Sequence, residues 1–191
     1  MWQAWLEGGA TFLLAFLIGT FVEYAVHRLM HGRWVLGKKH AEHHRDAWGQ
    51  GWLGEFGDYF LPCIPVIWLG FLVSVPAGVG WALGAFVYAA LAAYAHQIQH
   101  ENPDMVFWMP RPVHYLHHKH HMWKSNFGIT VDWWDRVFRT YELVEWRREK
   151  SIREHGLGAF FRIIWLIRKD DAPPQATQRQ PAESAAASTE A

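Results

Sequence analysis

The chain is 191 residues long, enough for one domain, and is 51% hydrophobic with 13 tryptophans, which is unusual for a soluble protein. Its 18 basic and 18 acidic side chains balance, and it carries no nucleic-acid-binding motif, which argues against a nucleic-acid partner. The single cysteine, Cys63, excludes an intrachain disulfide and a zinc site built on thiolates.

In chain order, residues 10–25 (ATFLLAFLIGTFVEYA) carry one charge, Glu23. With Trp2, Trp5 and Leu6 ahead of them they approach the roughly 20 apolar residues that span a bilayer. A signal peptide is the competing reading, but no basic region precedes the run, and it leads into His27 instead of a small-residue cleavage site. His31 follows, then His40, His43 and His44. A second apolar run covers residues 59–75 and a third covers 79–95, divided by Pro76, Ala77 and Gly78. Together they predict a helical hairpin that spans or dips into the membrane, each arm near the lower limit for a core of about 30 Å. His96 and His100 close the third run, and Asn102-Pro103 predicts its end, because a residue before proline leaves the helical region.

Residues 110–141 contain His114, His117 and His118 but no long apolar run, and predict a helical cap. The charges of residues 142–154 predict a solvated helix, broken by Gly156 and Gly158. Residues 159–169 fit either an interfacial amphipathic helix or core packed on the cap. The tail, 170–191, is rich in Pro, Ala, Ser and Gln and predicts disorder, leaving residues 1–169 as one membrane-embedded domain.

Charge placement predicts orientation. Every Lys and Arg falls within residues 27–45 or from Arg111 onward, so by the positive-inside rule those segments are cytoplasmic and the N-terminus and the Pro76–Gly78 turn are outside. All four histidine clusters then meet on the cytoplasmic side of a multi-pass protein, which in a bacterium is the inner membrane. The expected fold is all-α: about three transmembrane or membrane-dipping helices with a cytoplasmic cap over the histidines. Most tryptophans then belong to the aromatic belt.

The clusters have ligand spacing. Pairs at i, i+4 and triplets at i, i+3, i+4 place imidazoles on one helix face, where they converge on an ion held between helices. A lone pair reads equally well as polar residues at a helix end; four clusters in the order pair, triplet, pair, triplet do not. A mononuclear catalytic site takes about three protein ligands and a structural zinc four. Ten histidines without a thiolate companion therefore predict two metals side by side, of the types imidazole suits: iron, copper, zinc or nickel.

Read as HRLMH, HAEHH, HQIQHENP and HYLHH followed by NFGITVDWWDRVFRTY, the chain resembles the fatty acid hydroxylase and sterol desaturase superfamily of integral-membrane non-haem di-iron enzymes. The resemblance covers about residues 20–141. It implies two irons held by His27, His31, His40, His43, His44, His96, His100, His114, His117 and His118, with dioxygen as co-substrate. The implied reaction is hydroxylation of a C–H bond in a fatty acyl chain, a sterol or a similar lipid. Desaturation and carotenoid hydroxylation use the same site and stand as alternatives; a membrane haem or metal carrier is the rival from another class.

Two features depart from the family pattern. Arg139 stands where members often have glycine before the threonine, and HYLHHKHH contains a second frame at His117, His120 and His121. The spacing to Asn126 and Gly128 favours the first frame, and His121 lies seven residues after His114 on the same predicted face. No residue beyond the metal ligands is required as a catalytic group.

Each ligating imidazole is expected to give its second N–H to a carboxylate, carbonyl or water. The candidate carboxylates are Glu23, four residues before His27 in an apolar helix, and Glu42, Glu101, Asp132 and Asp135. The chain carries no Rossmann fingerprint and no CxxC. Its electrons are expected from a ferredoxin or small cytochrome with its reductase, docked on Arg147, Arg148, Lys150 and Arg153.

Overall fold

The computed structural model describes residues 2–46 and 49–166, with helices and irregular segments but no strand among them. The predicted disordered tail, 170–191, lies outside the described residues. Two helices are long and apolar enough to cross a membrane: α1, Trp2–His31, and α4, Val75–Glu101. Only 22% of the apolar stretch of α1 and 39% of that of α4 is buried in protein. Leu13, Leu14, Leu17 and Phe21 on α1, and Val79, Leu83 and Phe86 on α4, face outward. Such surface is disfavoured against water by about 25 cal/mol per Å², and at home against lipid.

The two long helices run parallel and touch through small residues. Gly80 sits against the carbonyl of Gly8 and Gly84 against that of Phe12, so closely that a Cβ at either glycine would collide with backbone. Without a hydrophobic drive between helices in lipid, such close approach is what packs them. Because the helices are parallel, their C-terminal ends bring His27, His31, His96 and His100 to one end of the bundle.

The chain returns to the start of α4 through α3, Trp52–Phe60, and 3-10 turns at Leu61–Cys63 and Leu69–Leu72. Phe56 and Phe60 pack edge-on to Phe86, and the Trp81 indole donates to the Val66 carbonyl at 3.0 Å. This arm is not the regular helix predicted for residues 59–75. Pro62 and Pro65 lack the N–H that an α-helix interior uses, and their rings clash with the preceding turn. The predicted break at Pro76, Ala77 and Gly78 is instead the first turn of α4. There proline is tolerated, and the Ser74 hydroxyl caps the helix by accepting from Ala77 N at 3.2 Å. The end at Asn102 falls where the following proline predicts it.

At the histidine end lie α2, Gly37–Asp46; α5, Val113–Lys119; α6, Trp133–Val137; and α7, Ile152–His155. Their core joins Ile98 of α4 to Met105, Val106, Met109, Val113, Ala159 and Ile163. Ala159 and Ile163 therefore pack as core, with Phe160 against them, while Phe161 and Arg162 face outward. Beyond them Ile164 and Trp165 run alongside the start of α3, their carbonyls accepting from Trp52 N at 2.8 Å and Leu53 N at 3.0 Å.

The helix predicted over residues 142–154 is confined to its last turn. Upstream, the Asn126 side chain holds Glu142 through two hydrogen bonds of 2.8 and 3.0 Å, and Arg148 donates to the Val106 carbonyl at 2.8 Å. These fixed partners hold the charged segment extended across the protein. Ser151 and Glu154 then form a capping box for α7, and Gly156, at φ 72°, ends it.

Candidate metal centre

Nine of the ten candidate histidines form two groups. His27, His31, His40, His44 and His117 make the first; His43, His100, His114 and His118 make the second. Within each group one nitrogen from every ring lies within 4.8 Å of all the others. His96 borders the second group, its Nε2 3.2 Å from that of His43 and its ring 4.6 Å from that of His114. The groups adjoin, with the His44 and His118 rings stacked at 4.0 Å. His120 and His121 are exposed past the end of α5, and His121 leaves the helix at φ 50°. His120 and His121 of the second frame therefore lie outside both groups, and His121 does not continue the face of His114.

The local fold explains the convergence. Each pair or triplet occupies one face of α1, α2, α4 or α5, as its spacing requires. The aiming comes from the loop 125–130. The carbonyl of Phe127 lies 2.6 Å from His27 Nδ1, and that of Ser125 lies 2.7 Å from His117 Nδ1. A carbonyl only accepts, so both Nδ1 atoms carry the proton and both Nε2 atoms present a bare lone pair.

The His117 Nε2 lone pair faces His31 Nε2 at 2.8 Å and His44 Nε2 at 3.2 Å, while His40 Nε2 is 2.8 Å from that of His31. Neutral imidazoles carry one proton each, too few to satisfy so many opposed nitrogens. His27 Nε2 and His118 Nε2 are buried without a hydrogen-bond partner among the described residues. A cation satisfies such an array, and an all-imidazole donor set suits iron as it does copper, zinc or nickel. Burial, which disfavours the charged imidazolium, lowers His40 to about 3, His44 to about 2 and His117 to about 3. At neutral pH these rings are uncharged, the form that ligates metal.

The loop is itself clamped by buried carboxylates. Asp135 accepts from Phe127 N at 2.8 Å and Thr140 Oγ1 at 2.7 Å through Oδ1, and from Gly128 N at 2.7 Å through Oδ2. Glu23 accepts from Ile129 N at 3.0 Å, Thr130 N at 2.9 Å, the Thr130 hydroxyl and the Tyr88 hydroxyl. Gln99 spans loop and ligand, donating to the Ile129 carbonyl at 2.7 Å and accepting from His114 N at 2.9 Å. The Trp108 indole donates to the Thr130 carbonyl at 2.9 Å, so this aromatic holds backbone.

The carboxylates predicted to meet imidazoles directly are thus placed otherwise. Glu23 and Asp135 act on the loop, one step behind the rings. Glu101 accepts from Ile164 N at 2.9 Å and from the Gln97 amide; Asp132 pairs with Arg136 at 2.6 Å; Glu42 is exposed. A carboxylate that does lie against one of the ten rings is Glu55, 3.0 Å from His96 Nδ1. It precedes the second apolar run together with Asp58, and it escaped the reading because no histidine lies near it in sequence.

A profile of the fatty acid hydroxylase family matches residues 12–140. The chain belongs to the fatty acid hydroxylase family. The histidine groups, the loop and both of its clamping carboxylates fall within the matched span. Among relatives, the chain is 29% identical over 165 residues to methylsterol monooxygenase 2-2 of Arabidopsis thaliana, covering 80% of this chain and 59% of that protein's length. No solved structure matches it. The family's frequent glycine before the threonine has a structural reason here. Arg139 adopts φ 57°, a left-handed conformation that costs a side-chain-bearing residue about 1–2 kcal/mol and glycine little.

Proposed function

We propose that this fatty acid hydroxylase family member is an integral-membrane di-iron monooxygenase that hydroxylates a C–H bond of a membrane lipid, either a fatty acyl chain or a sterol. The observation that carries the reading is the pair of adjoining all-histidine groups at one end of two lipid-exposed helices. The family match and the methylsterol monooxygenase relative support oxygen insertion into lipid.

His27, His31, His40, His44 and His117 would hold one iron, and His43, His96, His100, His114 and His118 the other. Bound ferrous ions supply the activation of dioxygen that an unactivated C–H bond requires. The chain supplies the rest. The Phe127 and Ser125 carbonyls hold His27 and His117 in the ligating tautomer. His114 and His117, 1% and 0% exposed, are shielded from bulk water, whereas His31, His43 and His100 are half-buried. The outward apolar faces of α1 and α4 support lateral arrival of a lipid, whose reacting carbon would meet the centre at the membrane boundary. The basic residues that cluster at this end support a cytoplasmic location for it by the positive-inside rule.

Electrons come from a separate carrier, a ferredoxin or a small cytochrome with its reductase, docking on exposed Arg147, Lys150 and Arg153. Arg148 is half-buried and bonded to the Val106 carbonyl, and so belongs to the fold. Reversing the three exposed charges is expected to slow turnover with metal content unchanged. Iron loss in that variant would place these residues in the fold instead.

The experiment for the function compares lipids of cells with and without the gene, grown under ¹⁸O-labelled dioxygen. A gene-dependent lipid carrying one labelled oxygen is the expected product. A gene-dependent lipid lacking two hydrogens, with no label, would make the enzyme a desaturase; identical lipid profiles would contradict both.

A further inference from the structure

The two metal positions are supported differently. In the first group the rings of His27 and His117 are oriented by neutral carbonyls. Beside the second group, His96 Nδ1 meets the carboxylate of Glu55 at 3.0 Å, with both side chains buried, 6% and 3% exposed.

The pairing is built into the start of α3. Gly51, at φ 78°, turns the chain into the helix, and its N–H donates to the Gln97 side-chain oxygen at 3.0 Å, next to His96 in sequence. Gln50 N donates to Glu55 Oε1 at 2.9 Å. The Trp52 indole donates to the Ala90 carbonyl at 3.2 Å. Gly49 lies so close to the Gln97 amide that a Cβ there would collide with it. These contacts leave Glu55 facing α4 at the level of His96.

We propose that Glu55 is a positioning residue for the second metal position, acting through His96. This rests on the dimetal reading above. At 3.0 Å the acceptor-only carboxylate favours the His96 tautomer with its proton on Nδ1, which leaves Nε2, as a lone pair, 3.2 Å from that of His43. Its negative charge makes that imidazole a stronger donor to a cation, an effect the carbonyl-held rings of the first group lack. A buried carboxylate in this place is otherwise unfavourable, and the Gln50 N–H that it accepts, with the His96 ring 3.0 Å away, offsets that cost.

The test is anaerobic titration of metal-free, detergent-purified protein with Co(II) against a competing chelator, reading stoichiometry and the visible cobalt spectrum. Wild type is expected to take two Co(II) per chain. Glu55→Gln retains an oxygen for both N–H groups but removes the charge; it is expected to keep one site at wild-type affinity and weaken the other by about 10–100-fold. His96→Ala is expected to weaken the same site, and Glu55→Gln is expected to add nothing in the His96→Ala background, a coupling that a merely structural role for Glu55 would not produce. Two wild-type affinities in Glu55→Gln, equal weakening of both sites, or full additivity with His96→Ala would overturn the proposal while leaving the dimetal reading standing. Wild-type protein that takes fewer than two Co(II) would overturn both.

Discussion

Replacing His117 with alanine is expected to abolish activity and to empty the first metal position, leaving at most one metal per chain. His117 is fully buried, and its Nε2 lies 2.8 Å from that of His31 and 3.2 Å from that of His44, while its Nδ1 is fixed on the Ser125 carbonyl. In the proposed centre it would be a central ligand with its tautomer already set. Removing a group that merely orients a ligand typically costs 10–100-fold in affinity, and removing the ligand itself is expected to cost more than about 100-fold. His155→Ala serves as the control. That ring lies 3.5 Å from Asp104, outside both histidine groups, and its loss should leave metal content and turnover near wild type. Inductively coupled plasma analysis of both purified variants decides the point; full metal retention in His117→Ala would remove His117 from the ligand set.

Asp135 carries the second large effect, although it touches no imidazole. Both of its oxygens are engaged, Oδ1 by Phe127 N and Thr140 Oγ1, Oδ2 by Gly128 N, and the residue is fully buried. Alanine leaves two buried backbone N–H groups without a partner, at about 1–3 kcal/mol each. Asparagine is expected to rescue little. It has one oxygen where two are used, so its amide NH₂ opposes either the Gly128 N–H or the pair at Oδ1. Because the loop so released carries the carbonyl that aims His27, the metal of the first group should weaken together with the fold. Thermal unfolding in detergent, with and without metal, measures both effects. An Asp135→Asn variant of wild-type stability and metal content would contradict the role given to the loop.

Much of this centre is legible in the sequence because ligand spacing is a local property. His27 and His31, or His114, His117 and His118, share a helix face through the geometry of one turn, and the charge pattern independently gathers their helices to one end. What escapes is long-range. Glu55 meets His96 only because Gly51 and Gln97 dock α3 on α4, and the Glu23 carboxylate crosses from α1 to the loop around Thr130 instead of reaching its own helical neighbour, His27. The form of the second apolar run depends on Pro62 and Pro65, whose effect on an α-helix outweighs the hydrophobic pattern. Pro76 shows the converse: its position in the first turn of α4 makes it a start signal where composition reads it as a break. Arg139 is a third case, since its left-handed backbone is set by the turn after α6 and not by any preference of arginine.

The central claim is that the histidines hold two irons, and the direct measurement is metal per chain. The protein would be purified in detergent under reducing, oxygen-poor conditions, its iron counted against protein, and its optical spectrum recorded. About two irons per chain without a haem band is the predicted result, from the two histidine groups and the number of ligands a metal site takes. A haem spectrum, or no more than one metal per chain with every histidine intact, would contradict the account.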